Sequence, residues 1–121
     1  MTTPNMFIVY VRDAAAAARF YGALFEMKPV FETPRFIAFD LGGGIQLAVW
    51  SGVDENFSFT GPRTSELCLA LPGGPEEIDN HFRKWVGKGV DIVAEPYDEV
   101  FGRTFVVTDP DGNLIRVAPV D

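Results

Sequence analysis

The stretch VTDPDGNLIRV, Val107–Val117, decides how the chain is read. It is a strand, a tight polar turn and a second strand. The second strand carries an arginine, Arg116, between Ile115 and Val117. A permanent cation in a strand that closes an apolar sheet needs a partner or a task.

Upstream, one order of elements occurs twice. MFIVYVRD (Met6–Asp13) is rich in aromatic and β-branched residues and predicts a strand ending at a helix cap, where Asp13 accepts free amides. AAAAARFYGALF (Ala14–Phe25) predicts a helix: alanine propensity is high, and Phe20 with Leu24 and Tyr21 with Phe25 are spaced i,i+4. Gly22 weakens that helix without ending it. Strands are expected at Lys28–Glu32, Phe36–Leu41 and Ile45–Trp50, with Gly42–Gly44 as a hairpin turn. SGVDENFSFTGPRT (Ser51–Thr64) has the composition of a long loop.

The second half opens on an apolar strand, Ser65–Leu71. Pro75 suits the first helical position, Glu76 and Glu77 favour the positive helix end, and Gly89 supplies a stop. Ile78, Phe82, Trp85 and Val86 form the expected buried stripe. His81, the sole histidine, is expected on the solvated face of that helix. Strands at Asp91–Glu95, Arg103–Thr108 and Leu114–Ala118 complete the half. A ferredoxin-like domain is the nearest rival, but it places two strands between its helices where four are expected here.

The length of 121 residues and 47% hydrophobic content suit one globular domain with a modest core. No apolar run approaches a membrane span and no basic-then-apolar leader opens the chain, so a soluble protein without signal peptide is expected. The single cysteine, Cys68, excludes an internal disulfide framework and a cysteine metal cluster; a reducing, cytoplasmic setting fits. A net charge of −7 repels nucleic acid and anionic membranes and attracts cationic ligands, although solubility alone also accounts for it.

The Ala-rich stretch with FYGALF behind VRD, and GRTFVVTDPDGNLIRV near the end, resemble the vicinal-oxygen-chelate superfamily. That superfamily includes glyoxalase I, the extradiol dioxygenases and the fosfomycin- and bleomycin-resistance proteins. The resemblance covers nearly the whole chain and implies an α+β fold. Two βαβββ modules would form a curved, half-open mixed sheet, each with a helix on its outer face, enclosing a cavity. It implies one domain over residues 1–121, with modules at about 5–50 and 65–119 and a linker at about 51–64. Relatives of this length pair as homodimers.

Metal enzymes of the family place ligands at four cavity-facing strand positions. Carried over, the first falls on Met6, seven residues before Asp13, and the second on Gln46 in GGIQLAVW. The third falls on Glu66 in SELCLAL, and the fourth, an acid in the relatives, on Arg116. A thioether, a neutral amide and a guanidinium are poor partners for a hard cation, so no metal and no other cofactor is expected. Glu66 and Arg116 should instead face each other at hydrogen-bond distance, assisted by Gln46. Such a pair either plugs the former metal hole or orients a polar group of a ligand.

Strand alternation extends the expected wall from these positions. It adds Ile8 and Tyr10, Ala48 and Trp50, Cys68 and Ala70, and Leu114 and Ala118. Small residues in the middle leave space and aromatics at the rim offer flat surface; Ile8 and Leu114 would equally pack a core, whereas Trp50 and Tyr10 suit ligand contact better. Phe57 and Phe59 on the long loop, and Tyr97 and Phe101 in EPYDEVFGR, are expected to border the mouth; either loop phenylalanine could instead be a subunit contact.

The resemblance is nearest to the bleomycin-resistance branch. It implies a non-enzymatic small-molecule binder that sequesters a cationic or aromatic compound such as an antibiotic. The alternative is a lyase, isomerase or dioxygenase with Glu66 as base and Arg116 as anion clamp. A scaffold kept for protein–protein contact is the third possibility.

Overall fold

A computed structural model describes residues 3–52 and 65–120. Contacts divide the chain into two compact units, Met1–Gly61 and Pro62–Asp121. No helix among the described residues is long and apolar enough to cross a membrane. The expected Phe57 and Phe59 lie outside the described residues.

The first unit runs β1 (Met6–Tyr10), α1 (Ala14–Phe25), β2 (Pro29–Glu32), β3 (Phe36–Gly42) and β4 (Ile45–Trp50). Asp13 caps α1 by accepting from the Ala16 amide at 3.1 Å. The sheet order is β1-β4-β3-β2; β1 and β4 are parallel and the other pairs antiparallel. Ile37, Phe39, Leu47 and Val49 are buried on one face, as are Ala14, Ala17, Ala18, Tyr21 and Leu24 of α1. A two-residue turn, Gly43–Gly44, joins β3 to β4 with φ of 62° and 80°, a region glycine enters without steric cost.

The C-terminal end of α1 sets the angle into β2. Glu26 takes φ 55°, the only non-glycine residue above zero among those described, and Met27 N–H donates to the Gly22 carbonyl at 3.0 Å. A Cβ on Gly22 would stand 2.9 Å from the Met27 carbonyl oxygen, a backbone atom that cannot rotate away. Gly22→Ala is therefore expected to destabilise by about 1–2 kcal/mol despite alanine's better helix propensity. Urea unfolding checks it: a raised midpoint would show that this connection yields freely.

The second unit runs β5 (Glu66–Leu71), α2 (Pro75–Gly87), β6 (Asp91–Glu99), β7 (Gly102–Thr108) and β8 (Leu114–Pro119). Its order, β5-β8-β7-β6, matches the first, with β5 and β8 parallel and the others antiparallel. The chain is thus an α+β protein of two βαβββ modules, each a mixed four-stranded sheet with one helix.

Three expectations need correction here. The strand expected at Asp91–Glu95 runs to Glu99, so Tyr97 is a strand residue and not part of a loop. Pro96 does not end β6, because it falls in a bulged stretch on the outermost strand, where a missing N–H is tolerated. The buried stripe of α2 centres on Ile78 and Trp85; Val86 is 48% exposed, and His81 is half-buried, its ring edge-on to Trp85 at 5.1 Å.

Candidate functional site

In the second module, Phe105, Val107, Ile115 and Val117 are buried on the helix side of the sheet, where Phe105 meets the Trp85 and Phe82 rings. Strand alternation therefore turns Arg116 and Val106 to the opposite face, and the ladder pairs them directly. Cys68 is the partner of Arg116 on the other side, and Glu66 pairs with Leu114. Glu66 thus reaches Arg116 diagonally across the β5–β8 ladder, within range of two long side chains.

Arg116 Nε donates to Glu66 Oε1 at 2.6 Å. The two side chains are 22% and 34% exposed, so water still screens the pair. Arg116 NH1 donates to Thr104 Oγ1 at 3.2 Å and, at a longer 3.4 Å, to Tyr97 Oη. Thr104, wholly buried, donates its own proton to the Val117 carbonyl at 2.7 Å, so towards the guanidinium it can only accept. The Phe101 ring centre lies 6.0 Å from the guanidinium carbon, at the outer limit of a cation–π contact. The hydrogen bonds that Arg116 donates to Glu66 and then to Tyr97 push its pKa above its already high ordinary value, so it stays charged throughout the accessible pH range. Burial, and next the Glu66 charge, push the Cys68 thiol up, which disfavours the thiolate.

Thr104 is the residue that sequence reading missed. A signal existed, since it lies two positions from Val106 and so shares its face. Tyr97 and Phe101 were expected near a cavity mouth; β6 and the turn after it bring both to Arg116.

The first module carries the other expected residues. Met6 pairs with Gln46, Ile8 with Ala48 and Tyr10 with Trp50, so all six share the face away from α1. The Tyr10 and Trp50 rings meet edge-on at 5.6 Å. Met6 and Ile8 are 39% and 47% exposed, whereas Ala48 has no accessible surface and forms floor. A separate groove of about 380 Å³, lined by Ala18, Arg19, Met27, Glu32 and Ile37 among others, lies on the helix side of this module.

The four residues to which the resemblance assigns metal ligands carry side chains poorly suited to a divalent cation. Among Met6, Gln46, Glu66 and Arg116 only Glu66 offers an anionic oxygen, and its Oε1 already carries the Arg116 N–H. An ion held by Glu66 would sit against a guanidinium that keeps its proton.

A family model described as the glyoxalase/bleomycin resistance protein/dioxygenase superfamily matches residues 3–117. The chain is 43% identical to the phenazine antibiotic resistance protein EhpR of Enterobacter agglomerans, over 98% of this chain and 93% of that one. The solution structure of protein ATC0852 from Agrobacterium tumefaciens superposes with a TM-score of 0.81 at 33% identity, covering 100% of this chain and 99% of that one. A glyoxalase-related enzyme from Fulvimarina pelagi shares the fold at a TM-score of 0.80 and 24% identity, over 99% of this chain and 89% of that one. With sheet order, helix placement and sequence in agreement, the chain belongs to the glyoxalase/bleomycin resistance protein/dioxygenase superfamily.

Proposed function

We propose that the protein binds and sequesters a planar aromatic antibiotic of the phenazine class, without a metal and without converting it. The observation that carries this reading is the hydrogen bond from Arg116 to Glu66, which ties a permanent cation to the only carboxylate among the four residues that the resemblance puts at metal-ligand positions. The likeness to a phenazine resistance protein over almost the full length of both chains supports the ligand class. Two surfaces suit a flat ring. One is the Tyr10–Trp50 edge of the first module, with Met6, Ile8 and Gln46 beside it. The other is the face of the second module, where Tyr97, Phe101 and Cys68 surround the ion pair. The reading includes a homodimer, as the family resemblance implies, and a cytoplasmic setting, which the single cysteine fits.

Calorimetric titration with unsubstituted phenazine and phenazine-1-carboxylate tests it. At 100 times its dissociation constant a ligand stabilises the fold by about 2.7 kcal/mol, a clear rise in melting temperature. Chelator should leave the affinity unchanged, and the ligand should be recovered intact by chromatography. No binding across both compounds overturns the reading, and so does a converted product.

A further inference from the structure

We propose that the second module selects its ligand by an anionic oxygen carried on the ring, a carboxylate being the simplest case, and that Arg116 and Tyr97 are the residues that read it. The inference rests on the function proposed above and gives that ligand a chemical handle. It also sets aside a cationic guest, which the net charge of −7 alone would favour.

A guanidinium has five N–H groups. In Arg116, Nε is taken by Glu66, while NH1 serves Thr104 and Tyr97. NH2 donates to nothing among the described residues. No buried side-chain nitrogen or oxygen among the described residues lacks a partner, so the unpaired NH2 has access to solvent and hence to a ligand. Tyr97 accepts from Arg116 through its hydroxyl oxygen, and its own proton meets no acceptor among the described residues. Against these three hydrogens stands one oxygen without a partner, Glu66 Oε2.

The protein side is thus rich in donors, and its complement is rich in acceptors. A carboxylate satisfies the NH2 edge with charge-assisted bonds and takes the tyrosine proton as well. A cationic guest meets like charge at Arg116 and a carboxylate already neutralised by its partner. The cluster is also held before any ligand arrives. Thr104 is buried and locked to the Val117 carbonyl, and Glu66 fixes the opposite edge of the guanidinium, so binding orders little that is not ordered already.

The test compares three probes on the full chain by calorimetry: phenazine-1-carboxylate, unsubstituted phenazine and N-methylphenazinium. Wild-type protein should bind the carboxylate at least about tenfold more tightly than unsubstituted phenazine, and the cation more weakly than either. Arg116→Gln should abolish the preference for the carboxylate, costing the carboxylate at least about tenfold more affinity than it costs unsubstituted phenazine. Tyr97→Phe should lose part of the preference. Added salt should weaken the carboxylate and spare the neutral ring. If Arg116→Gln does not fold, the wild-type ranking and Tyr97→Phe decide. Equal binding of carboxylate and unsubstituted phenazine, or tightest binding of the cation, overturns the inference and leaves the proposed function standing. Failure of all three probes to bind overturns both.

Discussion

Trp85→Ala should be the most damaging single substitution in α2, costing about 3–5 kcal/mol. Trp85 is 1% exposed and is among the largest fully buried side chains described in the protein. Its ring stands edge-on to Phe105 at 5.7 Å and to His81 at 5.1 Å. Phe105 carries the other half of the contact, because it also meets Phe82 at 5.3 Å. Truncation removes the indole from both partners at once, and a backbone held by sheet and helix cannot close the void, so a cavity cost adds to the lost burial. Total stabilities of small domains run to about 5–15 kcal/mol, so this one change consumes a large share. Urea unfolding followed by circular dichroism checks it. A midpoint close to that of the parent would mean that α2 can repack without the indole. Trp85→Phe keeps most of the volume and should lose much less.

The same helix shows where sequence reading stopped. Its start was legible because Pro75, Glu76 and Glu77 state a helix N-terminus through backbone chemistry alone. Its buried stripe was legible only in part. Periodicity placed Ile78 and Trp85 correctly but could not fix the rotation of the helix, which turns Val86 outward and His81 inward. Rotation is set by the partner surface, here Phe105, and that surface is made by residues distant in sequence. β6 failed for a related reason. The strand continues past its expected end through Pro96, whose missing N–H is tolerable at the edge position of β6. By contrast α1 runs over the residues its propensity and its Asp13 cap predict. The facing of Glu66 and Arg116 came from the family resemblance, since no local pattern links residues fifty positions apart. The further reach of Arg116 to Thr104 and Tyr97 needed the β6–β7–β8 register, which the sequence does not print.

That register depends on the turn with which the reading began, and Asp109→Ala is the change that tests it. Asp109 is 2% exposed. Its Oδ1 accepts from the Asp111 amide at 2.9 Å and the Asn113 amide at 2.8 Å, and its Oδ2 accepts from Asn113 Nδ2 at 2.8 Å. Its own backbone closes the turn through Asn113 and Gly112. One buried carboxylate thus accepts from three donors in the turn between β7 and β8. Alanine removes the buried acceptor that these three part-buried donors share, at a cost of about 3 kcal/mol, which lowers the melting temperature on the order of 10 °C. Asp109→Asn keeps an oxygen for the two amides but turns an amide nitrogen towards the Asn113 side chain, donor against donor, so it should fall between parent and alanine. The Thr108–Leu114 pair is the first rung of the ladder beyond this turn, and Arg116 stands two residues further along. Loss of the turn should therefore also raise hydrogen exchange at the Leu114 and Arg116 amides, and weaken carboxylate binding beyond what fractional unfolding explains. Melting within 2–3 °C of the parent, about 1 kcal/mol, would mean that β8 finds its register without Asp109 and that the placement of the guanidinium does not depend on this carboxylate.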